Sequence, residues 1–129
     1  MDKVFLDTNI IIDYANGKDS ILKKLLELQK QQSAELYVDA VVIAEFFSDK
    51  MINTPNELVL ARELFSNFSV IDITAKQGYE AGKLLRIGKA VSLGDALIAS
   101  SCIFNSLKLA TRNIKHFKKI PTLSLYTVS

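Results

Sequence analysis

Three carboxylates occupy places in this sequence from which their apolar neighbours should exclude them. Asp7 ends the apolar run Val4-Phe5-Leu6 and is followed by Thr8 and Asn9. Glu45 lies inside Val41-Val42-Ile43-Ala44-Glu45-Phe46-Phe47, with no basic residue within four positions on either side. Asp95 opens the most apolar helix expected in the chain, Ala96 to Asn105. Burying an unpaired carboxylate costs several kcal/mol, so each needs a partner, a raised pKa or a cation. If the three converge, their mutual repulsion calls for a cation. An oxygen donor set favours Mg²⁺ or Mn²⁺, with waters and phosphate oxygens completing the shell. Such a site activates water and stabilises charge on a phosphodiester. Plainer roles exist for each acid: Asp7 and Asp95 as helix caps, Glu45 as a helix-edge residue facing water.

Periodicity predicts the elements that would carry these groups. Val4 to Leu6 reads as a buried strand that hands over at Asp7-Thr8-Asn9 to a helix bearing Ile10, Ile11, Tyr14 and Ala15. The carboxyl end of a strand is where open α/β sheets bind ligands. Lys18-Asp19-Ser20 breaks that helix, and Ile21, Leu22, Leu25, Leu26 and Leu28 mark an amphipathic one to about Gln31. A strand is expected from Glu35 to Val38, then a helix from Ala40 to about Lys50. The turn Asn53-Thr54-Pro55-Asn56 opens a helix with Leu58, Ala61, Leu64, Phe65 and Phe68 on its inner side. Val70 to Ile73 reads as a strand and Thr74 to about Ile87 as a helix. Ser92-Leu93-Gly94-Asp95 caps the central helix. A strand from Leu107 to Ala110 ends in Thr111-Arg112-Asn113. A basic turn or short helix, Lys115 to Lys119, precedes a last strand near Leu123 to Tyr126. Strands alternating with helices imply βαβ units, a parallel sheet and right-handed crossovers. The predicted fold is a single α/β domain over residues 1–129: a three-layer α/β/α arrangement around a mostly parallel sheet.

Composition narrows the class. A chain of 129 residues, 49% hydrophobic and 23% charged, is ordinary for a soluble globular domain. Its apolar runs are too short to span a bilayer, and Asp2 and Lys3 argue against a signal peptide, so no membrane role and a cytoplasmic location are expected. One cysteine, Cys102, excludes an intrachain disulfide or a cysteine-rich metal cluster and reads as a small core residue. All 14 acidic residues lie at or before Asp95. Lys108, Arg112, Lys115, Lys118 and Lys119, with His116 among them, form a basic end. Such an end either guides a nucleic-acid backbone or is a solvated surface.

Leu6-Asp7-Thr8-Asn9 with Ile12-Asp13-Tyr14, then Ala44-Glu45, Asp95-Ala96-Leu97-Ile98-Ala99 and Thr111-Arg112-Asn113 together resemble a PIN domain. The set is most similar to the VapC-type ribonuclease toxins and runs over nearly the whole chain in the family's motif order. The resemblance implies a Mg²⁺- or Mn²⁺-dependent endoribonuclease hydrolysing RNA phosphodiester bonds, held in check by a cognate antitoxin and commonly a homodimer. Asp7, Glu45 and Asp95 match the family's metal-binding acids, and Asn9 and Thr111 its polar lining. The family usually has a further acid in the stretch held here by Asn113 to His116. Asn113 offers a carbonyl oxygen there and His116 a nitrogen, which leaves open whether one or two cations bind. Asp13 follows the opening motif as a near neighbour on the helix. His116 reads first as an exposed basic residue beside a phosphate patch made by Arg112, Lys115, Lys118 and Lys119. Phe65 and Phe68, beside Leu64, suggest a surface for a second copy or an antitoxin helix. Two alternatives stand beside this reading. One is an aspartyl-phosphate enzyme similar to the haloacid dehalogenase family, although Asn9 replaces its second aspartate. The other is a catalytically degenerate PIN domain that binds RNA or protein.

Overall fold

The computed structural model describes residues 1–18, 21–50 and 52–127. Its centre is strand β1 (Asp2–Leu6), in which Val4, Phe5 and Leu6 are all fully buried. Successive strand residues point to opposite faces, so burial of all three means that both faces of the sheet are covered. Each such side chain contributes roughly 1.5–3 kcal/mol relative to exposure.

From β1 the chain passes through α1 (Thr8–Ala15) and α2 (Ile21–Lys30) to β2 (Ala34–Asp39). It continues through α3 (Ala40–Phe47) and α4 (Pro55–Phe65) to β3 (Ser69–Ile71). Then α5 (Ala75–Arg86) and α6 (Leu93–Asn105) lead to β4 (Lys108–Ala110), and α7 (Ile114–Phe117) to β5 (Ser124–Leu125). The five strands are ordered β3-β2-β1-β4-β5, and every pairing is parallel. The sheet therefore grows outward from β1 first on one side, through β2 and β3, and afterwards on the other, through β4 and β5. Right-handed crossovers put the first set of helices on one face and the second on the opposite face. The predicted three-layer arrangement is the observed one.

Several predicted boundaries move for local reasons. Ser92 caps α6, its Oγ accepting from Asp95 N at 3.1 Å, so the helix begins at Leu93 and Asp95 lies inside its first turn. Asp95 is not the cap. α3 stops at Phe47 rather than near Lys50. On α4, Thr54 accepts from Glu57 N at 3.2 Å and Pro55 opens the first turn. Leu58, expected on the inner side, is exposed, whereas Ala61 is buried. The third strand is Ser69–Ile71 rather than Val70–Ile73 and has an exposed Val70, as befits a short edge. The last strand is only Ser124–Leu125. Asp19 and Ser20, in the predicted break after the first helix, lie outside the described residues.

Candidate active site

The sheet order creates a crevice where β1 and β4 part to opposite crossovers, the position at which open α/β sheets bind ligands. Asp7 stands at its floor. Its backbone N–H donates to Ala110 O at 3.0 Å, extending the β1–β4 pairing past Leu6. Its carboxylate is held by neutral donors: Oδ1 accepts from Thr8 N (2.8 Å), and Oδ2 from Thr111 Oγ1 (2.7 Å) and Asn9 Nδ2 (3.2 Å). Asp7 thus caps α1 and also occupies the crevice. Burial pushes its pKa up, and Asp95 adds to that, while the bonds from Thr111, Thr8 and Asn9 pull it down.

Glu45 corrects the expectation of burial, since α3 turns it to the exposed rim. The apolar stretch around it packs elsewhere: Val42 and Phe46 are the buried residues of α3. Glu45 is nevertheless tied to the crevice, because Thr8 Oγ1 donates to its Oε1 at 2.6 Å. On its far side Gly94 leaves the space that Glu45 fills, and a Cβ there would stand 3.1 Å from Oε2. Asp95, the residue after Gly94, is half-buried. Its pKa is raised chiefly by burial and further by Glu45, against the lowering effect of His116.

His116 is the neighbour that the sequence assigned to the phosphate patch. α7 brings its Nδ1 to 3.1 Å from Asp95 Oδ2. The only sequence signal for this pairing is the place of His116 in the stretch where an acid is expected. Thr8 was also missed as a site residue, although it stands between Asp7 and Asn9. Among the other polar residues, Asn9 Oδ1 accepts from Arg112 N at 3.2 Å, and Thr111 Oγ1 from Asn113 N at 3.0 Å. The Asn113 side chain makes no cap bond to α7.

The basic residues separate. Arg112 Nη1 bonds both oxygens of Asp13 at 2.7 Å, giving Asp13 a partner of its own. Lys115, Lys118 and Lys119 are exposed around α7. Lys108 reaches Asp2 at 3.6 Å near the amino edge of the sheet, away from the others. Cys102 is buried, with its thiol pushed well above its ordinary pKa by burial and by Asp39 and Asp7, which suits the core role expected of it.

A second buried polar chain lies behind the crevice. Asp39, fully buried at the end of β2, caps α3 through Val42 N (3.1 Å) and accepts from Ser101 Oγ on α6 (2.7 Å). Ser101 Oγ in turn accepts from Gln77 Nε2 on α5 at 2.9 Å. Asp39 was not foreseen, although Val38-Asp39-Ala40 repeats the strand-to-helix change seen at Asp7.

Among the described residues no three histidine, cysteine, aspartate or glutamate side chains converge into a ready-made cation cage. Nor does any of Asp7, Glu45 and Asp95 pair there with a lysine or arginine. Asp7 feels Asp95, and Asp95 feels Glu45, as repulsion. That donor chemistry fits a small divalent ion held by one or two protein carboxylates, with water and phosphate oxygens completing its shell.

Comparison with known proteins places the chain in a family. The PIN domain family model matches residues 4–123. Ribonuclease VapC2 of Rickettsia felis is 35% identical over 130 residues, covering 93% of this chain and 93% of its own. Ribonuclease VapC1 of the same organism is 26% identical over 135 residues, covering 98% and 96%. Among solved structures, VapBC2 from Rickettsia felis bound to a promoter DNA fragment has a TM-score of 0.80 at 27% identity, covering 98% of this chain and 99% of that one. DNA-bound VapBC from Salmonella typhimurium has a TM-score of 0.79 at 22% identity, covering 98% of both chains.

Proposed function

The chain belongs to the PIN domain family, and from that premise we propose that it is a divalent-cation-dependent endoribonuclease, the toxin of a toxin–antitoxin pair. The observation that carries the reading is the nearness of Asp7 to Asp95 and of Asp95 to Glu45, felt as repulsion, with none of the three paired to a lysine or arginine among the described residues. Asp7 and Asp95 would hold Mg²⁺ or Mn²⁺, with Glu45 at the rim. When bound, the ion supplies Lewis acidity and a more acidic water for attack on an RNA phosphodiester. The chain's own residues prepare that chemistry. Thr111, Asn9 and Thr8 donate hydrogen bonds that fix the Asp7 oxygens and keep them ionisable despite burial. Thr8 also steers Glu45 toward Gly94 and Asp95. Lys115, Lys118 and Lys119 guide the RNA backbone toward the crevice, and Arg112 joins them while held by Asp13.

The partners belong to the same reading. The structural relatives are VapBC complexes, which supports a cognate antitoxin here. A groove of about 540 Å³ beside α4, lined in part by Ile12, Tyr14, Phe46, Leu60 and Leu64, offers a seat for a partner helix. Phe65 and Phe68 contribute less to it than their sequence position suggested, because they pack edge-to-face on one another and Phe65 also packs at a tilt against Phe46 and Phe47. A homodimer and a cytoplasmic setting complete the proposal, and no helix among the described residues is long and apolar enough to cross a membrane.

The test is cleavage of a mixed RNA pool with Mg²⁺ or Mn²⁺, against a chelator and against Asp7→Asn. Internal cuts that need both the ion and Asp7 are expected. Equal cutting in the chelator would overturn the cation-dependent reading.

A further inference from the structure

We propose that His116 is itself a cation ligand, and that with Asp95 it gives the site a mixed nitrogen–oxygen edge selecting Mn²⁺ and related transition ions over Mg²⁺. This rests on the divalent-cation reading above and goes beyond it to the identity of the ion. α7 is a single turn, anchored by the buried Phe117 next to His116 and by the buried Ile120 beyond it. It therefore holds the imidazole against α6, with Nδ1 3.1 Å from Asp95 Oδ2. Two donors in adjacent positions of an octahedral ion with bonds of about 2.1 Å stand about 3 Å apart. Here the two atoms are hydrogen-bonded to each other, and an ion shared between them would take the place of that bond.

Donor chemistry then sets the preference. Mg²⁺ demands hard oxygen ligands, whereas a neutral imidazole suits transition ions that tolerate nitrogen. An imidazole also brings no negative charge, so it weakens the hold on a hard ion more than on a softer one. The carboxylates facing this edge, Asp7 and Glu45, keep the site anionic enough for a dication. The competing use of His116 is as a cationic contact to an RNA phosphate, and the two uses predict different results.

His116 is the chain's single histidine, so its ring nitrogens give one unambiguous pair of signals in the ¹⁵N-labelled full-length protein. On titration with diamagnetic Zn²⁺, without RNA, Nδ1 is expected to shift strongly and Nε2 weakly. Calorimetric titrations with Mn²⁺ and Mg²⁺ follow for the wild type, His116→Asp and His116→Ala. His116→Asp should narrow the Mn²⁺/Mg²⁺ affinity ratio roughly tenfold or more, the scale on which residues around a metal act. His116→Ala should lose Mn²⁺ affinity more than Mg²⁺ affinity. If the Nδ1 signal stays in place, or all three proteins keep one ratio while ions bind and RNA is cut, His116 is no ligand and the nuclease reading stands alone. If the wild type binds no divalent ion by either measurement, both readings fall.

Discussion

Asp7 combines a structural duty with a chemical one, and the two separate on substitution. In Asp7→Asn the cap acceptor for Thr8 survives, while the charge that burial disfavours is removed. Cleavage should be abolished and the cation-free melting temperature should hold or rise. Calorimetry in chelator with an RNA cleavage assay checks both, and near-normal cleavage would refute the assignment. Asp39 supports a different test, of pH. Burial raises its pKa in the folded protein above the ordinary 3.8. The folded state thus binds more protons, and the stability linked to Asp39 is present below about that value and lost as pH rises through the raised one. The stability of Asp39→Asn relative to wild type should therefore improve from pH 4 to pH 8, as urea unfolding at the two pH values will measure. Asp7 was readable in the sequence because polar neighbours flagged it. Asp39 was not, since its partners Ser101 and Gln77 lie far along the chain and reach it only through the packing of α5 and α6.

At the level of elements, the Glu45 side chain of α3 lies in the space left by one missing methyl group in the first turn of α6. Gly94→Ala would put a Cβ 3.1 Å from Glu45 Oε2, and the flexible end of that side chain would yield. Alanine gains up to about 1 kcal/mol of helix propensity over glycine, so melting should change little. Displacing Glu45 from Thr8 should lower cleavage several-fold in a single-turnover assay. A fall in melting temperature with cleavage intact would show that α6 moves instead. On α7 and the turn after it, Lys118→Ala with Lys119→Ala should flatten the slope of log RNA affinity against log salt, by roughly 0.7 for each phosphate no longer neutralised. The cut sites should stay the same. A salt titration on a non-cleavable RNA decides, and an unchanged slope returns these lysines to the solvated surface. Elements with strong apolar periods, such as α2 and α6, were legible in the sequence. Their ends were less so, because single capping residues such as Ser92 set them. The exposed edge strands β3 and β5 carry too little apolar pattern to be placed to the residue.

Across the whole molecule, the strand order β3-β2-β1-β4-β5 makes a site from separate segments. Alternating strands and helices foretold the parallel sheet and its helical layers, but not which strand would lie beside β1. That choice places Thr111 on Asp7, and no local signal encodes it. Because the acids repel in the cation-free protein, a bound divalent ion should stabilise the fold, by about 2.7 kcal/mol at a hundredfold excess over Kd. A rise in melting temperature with added Mn²⁺, blunted in Asp95→Asn, is the expected result; no rise in the wild type would contradict it. The hydrogen bond from Thr111 to Asp7 spans 104 positions, and it has a consequence for synthesis. The first of the three acids leaves the ribosome early, but its floor is complete only when β4, near the end of the chain, docks beside β1. Pairings so distant along the chain carry a large loop-closure cost in folding. A copy truncated before Thr111 would hold Asp7 without its strongest side-chain donor and, on the proposed reading, should not cleave RNA.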